Sequence, residues 1–294
     1  MVVFSDAHID INSHAKNPVE DKSYLECFIS SLQETAPDVL ICAGDLTPDI
    51  ELFQKTLNTI TQEVNAQYRF FVPGNHDIWF RSQVDPSSQA SSSLDKHRRI
   101  LPWICKKTGF NFLPGQPKVV NEVGFLGSVG WYDYTFRNPR WNNQISSLDY
   151  AAKRHEGIVW NDVNYAEWEM SDPEVCQWMI KLLDNDYHQL EANNVEECIL
   201  TLHHVPFREF VIYKNEISWD YCSAFMGAQQ FGDWALSHNK ISTIIFGHTH
   251  TPQKGQIESI SVYCNPIGYL WETNGINDLS TFLRNRLTII EKKA

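Results

Sequence analysis

Five polar clusters in this 294-residue sequence carry histidine, aspartate or asparagine: Asp6-Ala7-His8, Gly44-Asp45, Gly74-Asn75-His76-Asp77, His203-His204 and Gly247-His248-Thr249-His250. Six of the eleven histidines lie in them, although the clusters occupy a small part of the chain. Imidazole, carboxylate and amide oxygen together suit borderline divalent cations such as Mn, Fe, Zn or Ni better than a sulfur-seeking ion. A carboxylate has two oxygens, so it can bridge two cations about 3.5–4 Å apart, as two-metal hydrolases require. A lone DxH or GD is a weak signal, and a single histidine at a strand end is more often a hydrogen-bonded structural residue. GNHD and GHTH are rarer, and the five clusters together point to a metal site.

Each cluster closes a short apolar run, at residues 2–4, 39–43, 70–72, 198–202 and 244–246. The runs are of strand length, rich in β-branched and aromatic residues, and too uniformly apolar for strands with one wet face. Helical segments at 22–34 and 50–64 separate the first three, the second behind a helix start at Thr47-Pro48-Asp49. That order predicts parallel strands joined by right-handed crossovers, with ligand sites at their carboxyl ends. Gly247 permits the close backbone approach that lets His248 and His250 converge in a turn.

After Phe80 the pattern changes. Residues 82–93 read as a serine-rich surface loop, 119–129 as two strands around Asn121-Glu122, and 147–155 and 173–190 as amphipathic helices. Six of the ten tryptophans fall between Trp103 and Trp178. Trp131 and Tyr132, in a GWYDY segment directly after a strand, either stack a base or sugar beside the site or pack a lid against the sheet. Arg137, Arg140 and Arg208 are candidates for phosphate contact or ordinary surface charges; Arg208 is the best placed, just after the histidine pair.

In this order the clusters resemble the signature of the calcineurin-like metallophosphoesterases, DxH, GD, GNH(D or E), a further histidine, and GHxH, spread from residue 6 to residue 250. Ala7 departs slightly, standing where a larger apolar residue is common. The GWYDY and HHVPF segments look like those of a prokaryotic subgroup of that family. The resemblance implies an α/β protein, a four-layer α-β-β-α sandwich of two mixed sheets flanked by helices. It implies a single domain over residues 1–294 with lid-like insertions at about 80–115 and 135–190. One metal would be held by Asp6, His8, Asp45 and His250, the second by Asp45, Asn75, His248 and one of His203 and His204. Counting from the strand end favours His203, whereas a His-x-Pro pattern ending at Pro206 favours His204; the other would be a hydrogen-bonding neighbour of the site. His76 would lie beside the scissile phosphate as a catalytic residue, oriented by Asp77. The implied function is hydrolysis of a phosphate mono- or diester of a small molecule by in-line attack of a metal-bridging hydroxide, with two divalent metal ions as cofactors.

Aspartate plus glutamate exceeds lysine plus arginine by 36 to 24, a formal net charge of −12. That field disfavours extended nucleic acid and leaves a small phosphorylated molecule as the expected substrate. A nuclease of this fold would need a basic track, and a serine/threonine protein phosphatase would read GDxxDRG where this chain has Gly44-Asp45-Leu46-Thr47-Pro48-Asp49-Ile50. A non-catalytic scaffold for protein partners would have lost the His76-type residue or some ligands. The seven scattered cysteines form no CxxC pair and suggest a reducing compartment. With no basic leader and no apolar run near the roughly 20 residues that span a bilayer, the expected location is cytoplasmic, away from membranes. No feature sets an oligomeric state.

Overall fold

Successive side chains along each apolar run are buried alternately in two cores. In the run Val39–Ala43, Val39, Ile41 and Ala43 face a core shared with Val3, Phe70, Val72, Phe125, Ile199 and Ile245, while Leu40 and Cys42 face another. A strand buried on both faces needs a sheet on one side and helices on the other. The computed structural model describes residues 1–17, 19–80, 90–273 and 275–291, and it supplies both covers.

The first sheet holds β1 (Val2–Phe4), β2 (Val39–Ala43), β3 (Tyr68–Val72) and β4 (Asn111–Phe112), all parallel, with β13 (Thr288–Ile289) antiparallel outside β1. The second runs in the order β11 (Gln253–Ile257), β12 (Ile260–Cys264), β10 (Ile241–Phe246), β9 (Glu197–Leu202), β6 (Val123–Ser128), β5 (Lys118–Val120). Its four inner strands are parallel and its two edge strands antiparallel. The sheets pack face to face, with the Phe70 and Phe125 rings 4.8 Å apart between them. A short hairpin, β7 (Arg154–His155) and β8 (Ile158–Val159), stands apart.

The helices at Tyr24–Thr35 and Ile50–Glu63 cover the first sheet, where Phe28 meets Phe4 and Phe53 meets Phe71. Ser23 and Glu26 form a capping box on the first helix, and the Asp49 side chain accepts from Leu52 N at the start of the second, where the sequence placed it. The helix Asp172–Ala192 lies along β6 on the far side of the second sheet. The protein is thus an α/β sandwich of two mixed sheets between helices.

Some expected decorations turn out to be framework. Of the 80–115 stretch, the helix Leu101–Thr108 packs on Ile50–Glu63, and β4 extends the first sheet. The 173–190 helix is a layer of the sandwich rather than a lid. The 147–155 helix stops at Ala152, and Arg154–His155 turns into the small hairpin. Asn121 and Glu122 form the tight turn between β5 and β6, both with left-handed φ as such two-residue turns require. The serine-rich stretch 82–93 lies mostly outside the described residues. Among the described residues no helix is long and apolar enough to cross a membrane.

Candidate metal centre

The carboxyl ends of β1, β2, β3, β9 and β10 lie at one end of the two sheets, and backbone hydrogen bonds stitch their loops together. Asp6 N donates to Gly44 O at 2.9 Å, His8 N to Asp45 O at 3.0 Å and Gly247 N to His203 O at 3.0 Å. His248 N donates to the Asp6 carboxylate at 3.0 Å, joining one sheet to the other. Asp6, His8, Asp45, His248 and His250 all adopt left-handed φ, between 40° and 67°. Each such residue costs on the order of 1 kcal/mol or more, and strain of this kind gathers where a site demands it. Glycines make room for the approach: a Cβ on Gly247 would stand 2.5 Å from Asp6 Oδ2, and one on Gly74 would collide with the Asp45 carboxylate.

The side chains converge in overlapping groups: Asp6, His8 and His250; His8, Asp45 and His76; Asp45, His203 and His248. Asp45 Oδ2 lies 3.7 Å from His8 Nε2 and 3.4 Å from His203 Nε2. His250 Nε2 is 3.6 Å from Asp6 Oδ1 and 3.1 Å from His8 Nε2, and His248 Nδ1 is 3.2 Å from His203 Nε2. Atoms bound to one cation at about 2.0–2.2 Å stand roughly 3–3.5 Å apart, so most of these spacings suit ligands sharing an ion better than direct charge-assisted hydrogen bonds of about 2.7–2.9 Å.

The outer contacts aim the donor atoms inward. His203 Nδ1 donates to Ala43 O at 3.0 Å, and His250 Nδ1 pairs with Glu272 Oε2 at 2.7 Å, which turns both Nε2 atoms toward the cluster. Asn75 Nδ2 donates to Asp162 Oδ1 at 3.0 Å, leaving the buried Asn75 Oδ1 without a partner. An orphaned acceptor beside a buried carboxylate–imidazole cluster fits a divalent metal ion.

Protonation supports the same reading. Burial holds His8, His248 and His76 below the usual imidazole range, so they are neutral donors at neutral pH. Burial also opposes charge on His203, but Asp45 and Asp6 override it and push its pKa up to about 10. Burial would raise the Asp45 pKa, yet His203 and His76 hold it well below the usual carboxylate value. A cation entering there therefore displaces a proton from His203.

His203 is the member of the pair turned toward Asp45. His204 Nδ1 donates to Val129 O at 2.9 Å, and its ring lies beside that of His248 at 4.3 Å and against Trp131 and Tyr132. Asp77 does not hold the His76 ring: its carboxylate accepts from the backbone N–H groups of Asp45, Leu46, Thr47 and Gly74 at 2.8–3.0 Å, which fixes the Asp45 loop. The His76 ring instead lies on Trp79 at 3.7 Å, with Tyr269 Oη 3.3 Å from its Nε2.

Trp131 and Tyr132 are fully buried and donate to Asp172 at 2.7 Å and Asp162 at 3.0 Å; neither lines the cavity beside the cluster. Packing the segment against the sheet won over stacking a substrate. The three arginines also stay outside that cavity. Arg208 donates to Tyr213 Oη and Thr135 O, Arg137 to Tyr134 O, and Arg140 lies over Trp141. The sequence did not single out Asp162, Tyr269 or Glu272, which touch Asn75, His76 and His250. No local motif marks them, because none stands at a strand end: Asp162 opens the short helix Asp162–Tyr165, and Tyr269 precedes and Glu272 ends the 3-10 turn Leu270–Glu272.

An α/β sandwich carrying an aspartate–histidine cluster at the strand ends defines a class of metal-dependent hydrolases. The model of the calcineurin-like phosphoesterases matches residues 1–252, so the chain belongs to that family. No curated protein matches the sequence. The phosphopantetheinyl hydrolase of Mycobacterium tuberculosis has a similar structure, with a TM-score of 0.67 at 17% identity over 92% of this chain and 90% of that one. The calcineurin-like phosphoesterase YfkN of Bacillus subtilis gives 0.46 at 14% identity over 90% and 80%. A dimetal phosphatase of Danio rerio gives 0.44 at 14% identity over 92% and 87%.

Proposed function

We propose that this phosphoesterase hydrolyses a mono- or diester of a small molecule at a centre of two divalent cations. One would be held by Asp6, His8, Asp45 and His250, the other by Asp45, Asn75, His248 and His203. The observation that carries this reading is the single Asp45 oxygen between His8 and His203, at 3.7 and 3.4 Å. Cations bound there would supply a Lewis acid for the phosphoryl oxygens and an activated water.

The remaining work falls to the chain. Asp77, itself tied to Gly74 N, holds the Asp45 loop, and Asp162 aims Asn75. His76 lines the cavity, pinned by Trp79, in position to stabilise charge on the phosphoryl group or to give a proton to the leaving oxygen. The net charge of −12 argues against polyanionic substrates.

The test is hydrolysis of 4-nitrophenyl phosphate and its bis-ester with Mn, Fe, Ni or Zn supplied. The M. tuberculosis neighbour is a phosphopantetheinyl hydrolase, so phosphopantetheinyl esters belong in the same screen. Release of nitrophenolate from either substrate is expected; both remaining intact with every metal would overturn the reading.

A further inference from the structure

A cavity of about 800 Å³ opens from the cluster, with Asp45, Asn75, His76 and His248 at its inner end. Six aromatic side chains line it, Trp79, Trp160, Tyr165, Trp219, Tyr269 and Trp271, and among the described residues no lysine or arginine does. The rings are stacked into flat walls: Tyr269 on Trp271 at 4.5 Å, Trp160 on Phe225 at 5.3 Å, His76 on Trp79 at 3.7 Å.

The mouth is apolar as well. Of the ten large hydrophobic side chains exposed among the described residues, Val159, Ile212, Trp219 and Trp271 rim this one opening. Concentrated exposed apolar surface marks a binding site rather than random scatter. The carboxylates in the wall offer little to a cation: Asp162 accepts from Asn75, Trp79, Tyr132 and Trp160, and Glu272 pairs with His250. Glu216 stands at the solvated edge.

Among the residues that line the cavity, negative charge on a ligand can thus be met only at the inner end. An anionic group among the inner rings would be desolvated with no lysine or arginine in the lining to meet it, and the ammonium of Lys214 lies outside the lining, 3.2 Å over the Trp219 ring. An apolar arm there buries area worth about 25 cal/mol per Å².

We propose that this cavity binds the organic part of a substrate bearing a single phosphoryl group, and that this part is large, uncharged and apolar or aromatic. The assignment rests on the phosphoesterase reading of the cluster for where the phosphoryl group goes. Trp219 and Trp271 form the outer walls, and Trp79, Trp160 and Tyr269 the inner ones.

The test is calorimetric binding of non-hydrolysable phosphonic acids, in which a P–C bond to the arm replaces the ester P–O bond, to the Mn-loaded protein, with methyl, phenyl, 2-naphthyl and 4-carboxyphenyl arms, and with the isosteric pair of 3,3-dimethylbutyl and 2-(trimethylammonio)ethyl arms. Affinity is expected to rise about tenfold or more from methyl to naphthyl, because one ring buries more than enough area for that factor. The carboxylate and the quaternary ammonium are expected to weaken binding relative to their neutral counterparts. Both rim tryptophans are exposed, so the Trp219→Ala/Trp271→Ala variant retains the fold and is expected to lose most of the size preference. A flat series, a charged arm that binds more tightly than its neutral counterpart, or a size preference intact in the double variant would overturn the proposal. Turnover of 4-nitrophenyl phosphate and of its bis-ester with Mn, Fe, Ni or Zn supplied, measured in parallel, separates the two claims. The arm preference without turnover removes the phosphoesterase reading alone, and turnover with a flat series removes the cavity assignment alone.

Discussion

Asp162 Oδ1 accepts a hydrogen bond from Asn75 Nδ2 at 3.0 Å, and the same carboxylate takes the indole N–H groups of Trp79 at 2.6 Å and Trp160 at 2.8 Å. One buried acid thereby orients a candidate metal ligand and two walls of the substrate cavity. Replacing it by asparagine puts an N–H₂ group against donors and frees the Asn75 amide to rotate. Asp162→Asn is expected to weaken metal binding about 10–100-fold with the fold retained. Competition against a chelator measures it, and an unchanged affinity would show that Asn75 needs no such support.

His76→Ala should separate binding from chemistry. The ring lies outside the eight ligand positions assigned to the two cations, so metal content is expected to stay at the wild-type level while kcat falls about 10²–10⁴-fold. Paired elemental analysis and steady-state kinetics check this; near-wild-type turnover would remove His76 from the mechanism.

Gly247→Ala probes the packing of the two sheets' loops. The added methyl would meet Asp6 Oδ2 at 2.5 Å and Ser5 Oγ at 2.8 Å, and both residues are buried, with Asp6 tied to His248 N. A loss of about 1–3 kcal/mol in stability is expected, with reduced metal uptake. Denaturant unfolding of the metal-free variant and wild type gives the difference.

The protonation of the metal-free cluster sets a pH trend. His203 has a folded pKa of about 10 against an ordinary 6.5, so its contribution to stability is complete below about pH 6.5 and is lost as the pH rises toward 10. Asp77, raised to about 7 by burial and by Asp45, acts in the same direction between pH 3.8 and 7. The Tm of protein stripped by chelator is therefore expected to fall from pH 7 to pH 10. Added metal is expected to raise Tm and flatten that slope, because it replaces the proton on His203. A Tm that rises over the same range in the stripped protein would contradict this assignment of charge.

Much of this architecture was legible in the sequence because it rests on local rules. Apolar runs such as 39–43 mark buried strands, and parallel connection forces their carboxyl ends, with Asp6, Asp45, Asn75, His203 and His248, to one side. Trp131 and Tyr132 were open between two roles because nothing in a GWYDY segment reveals that Asp162 and Asp172, at the starts of two later helices, wait to take their polar hydrogens. The family resemblance implied that Asp77 orients His76. The turn after Gly74 sends its carboxylate to the Asp45 loop instead, a long-range contact that sequence order hides. The aromatic cavity was illegible for the same reason. Trp79, Trp160, Trp219 and Trp271 are scattered along the chain and meet only in space.

The most direct test of a two-metal centre built around Asp45 is the metal content of protein loaded with Mn and freed of excess, wild type beside Asp45→Asn. The wild type is expected to retain about two Mn per chain and the variant far less than one, because loss of the shared carboxylate charge releases both ions. One Mn or none in the wild type, or two still bound in the variant, would contradict the account.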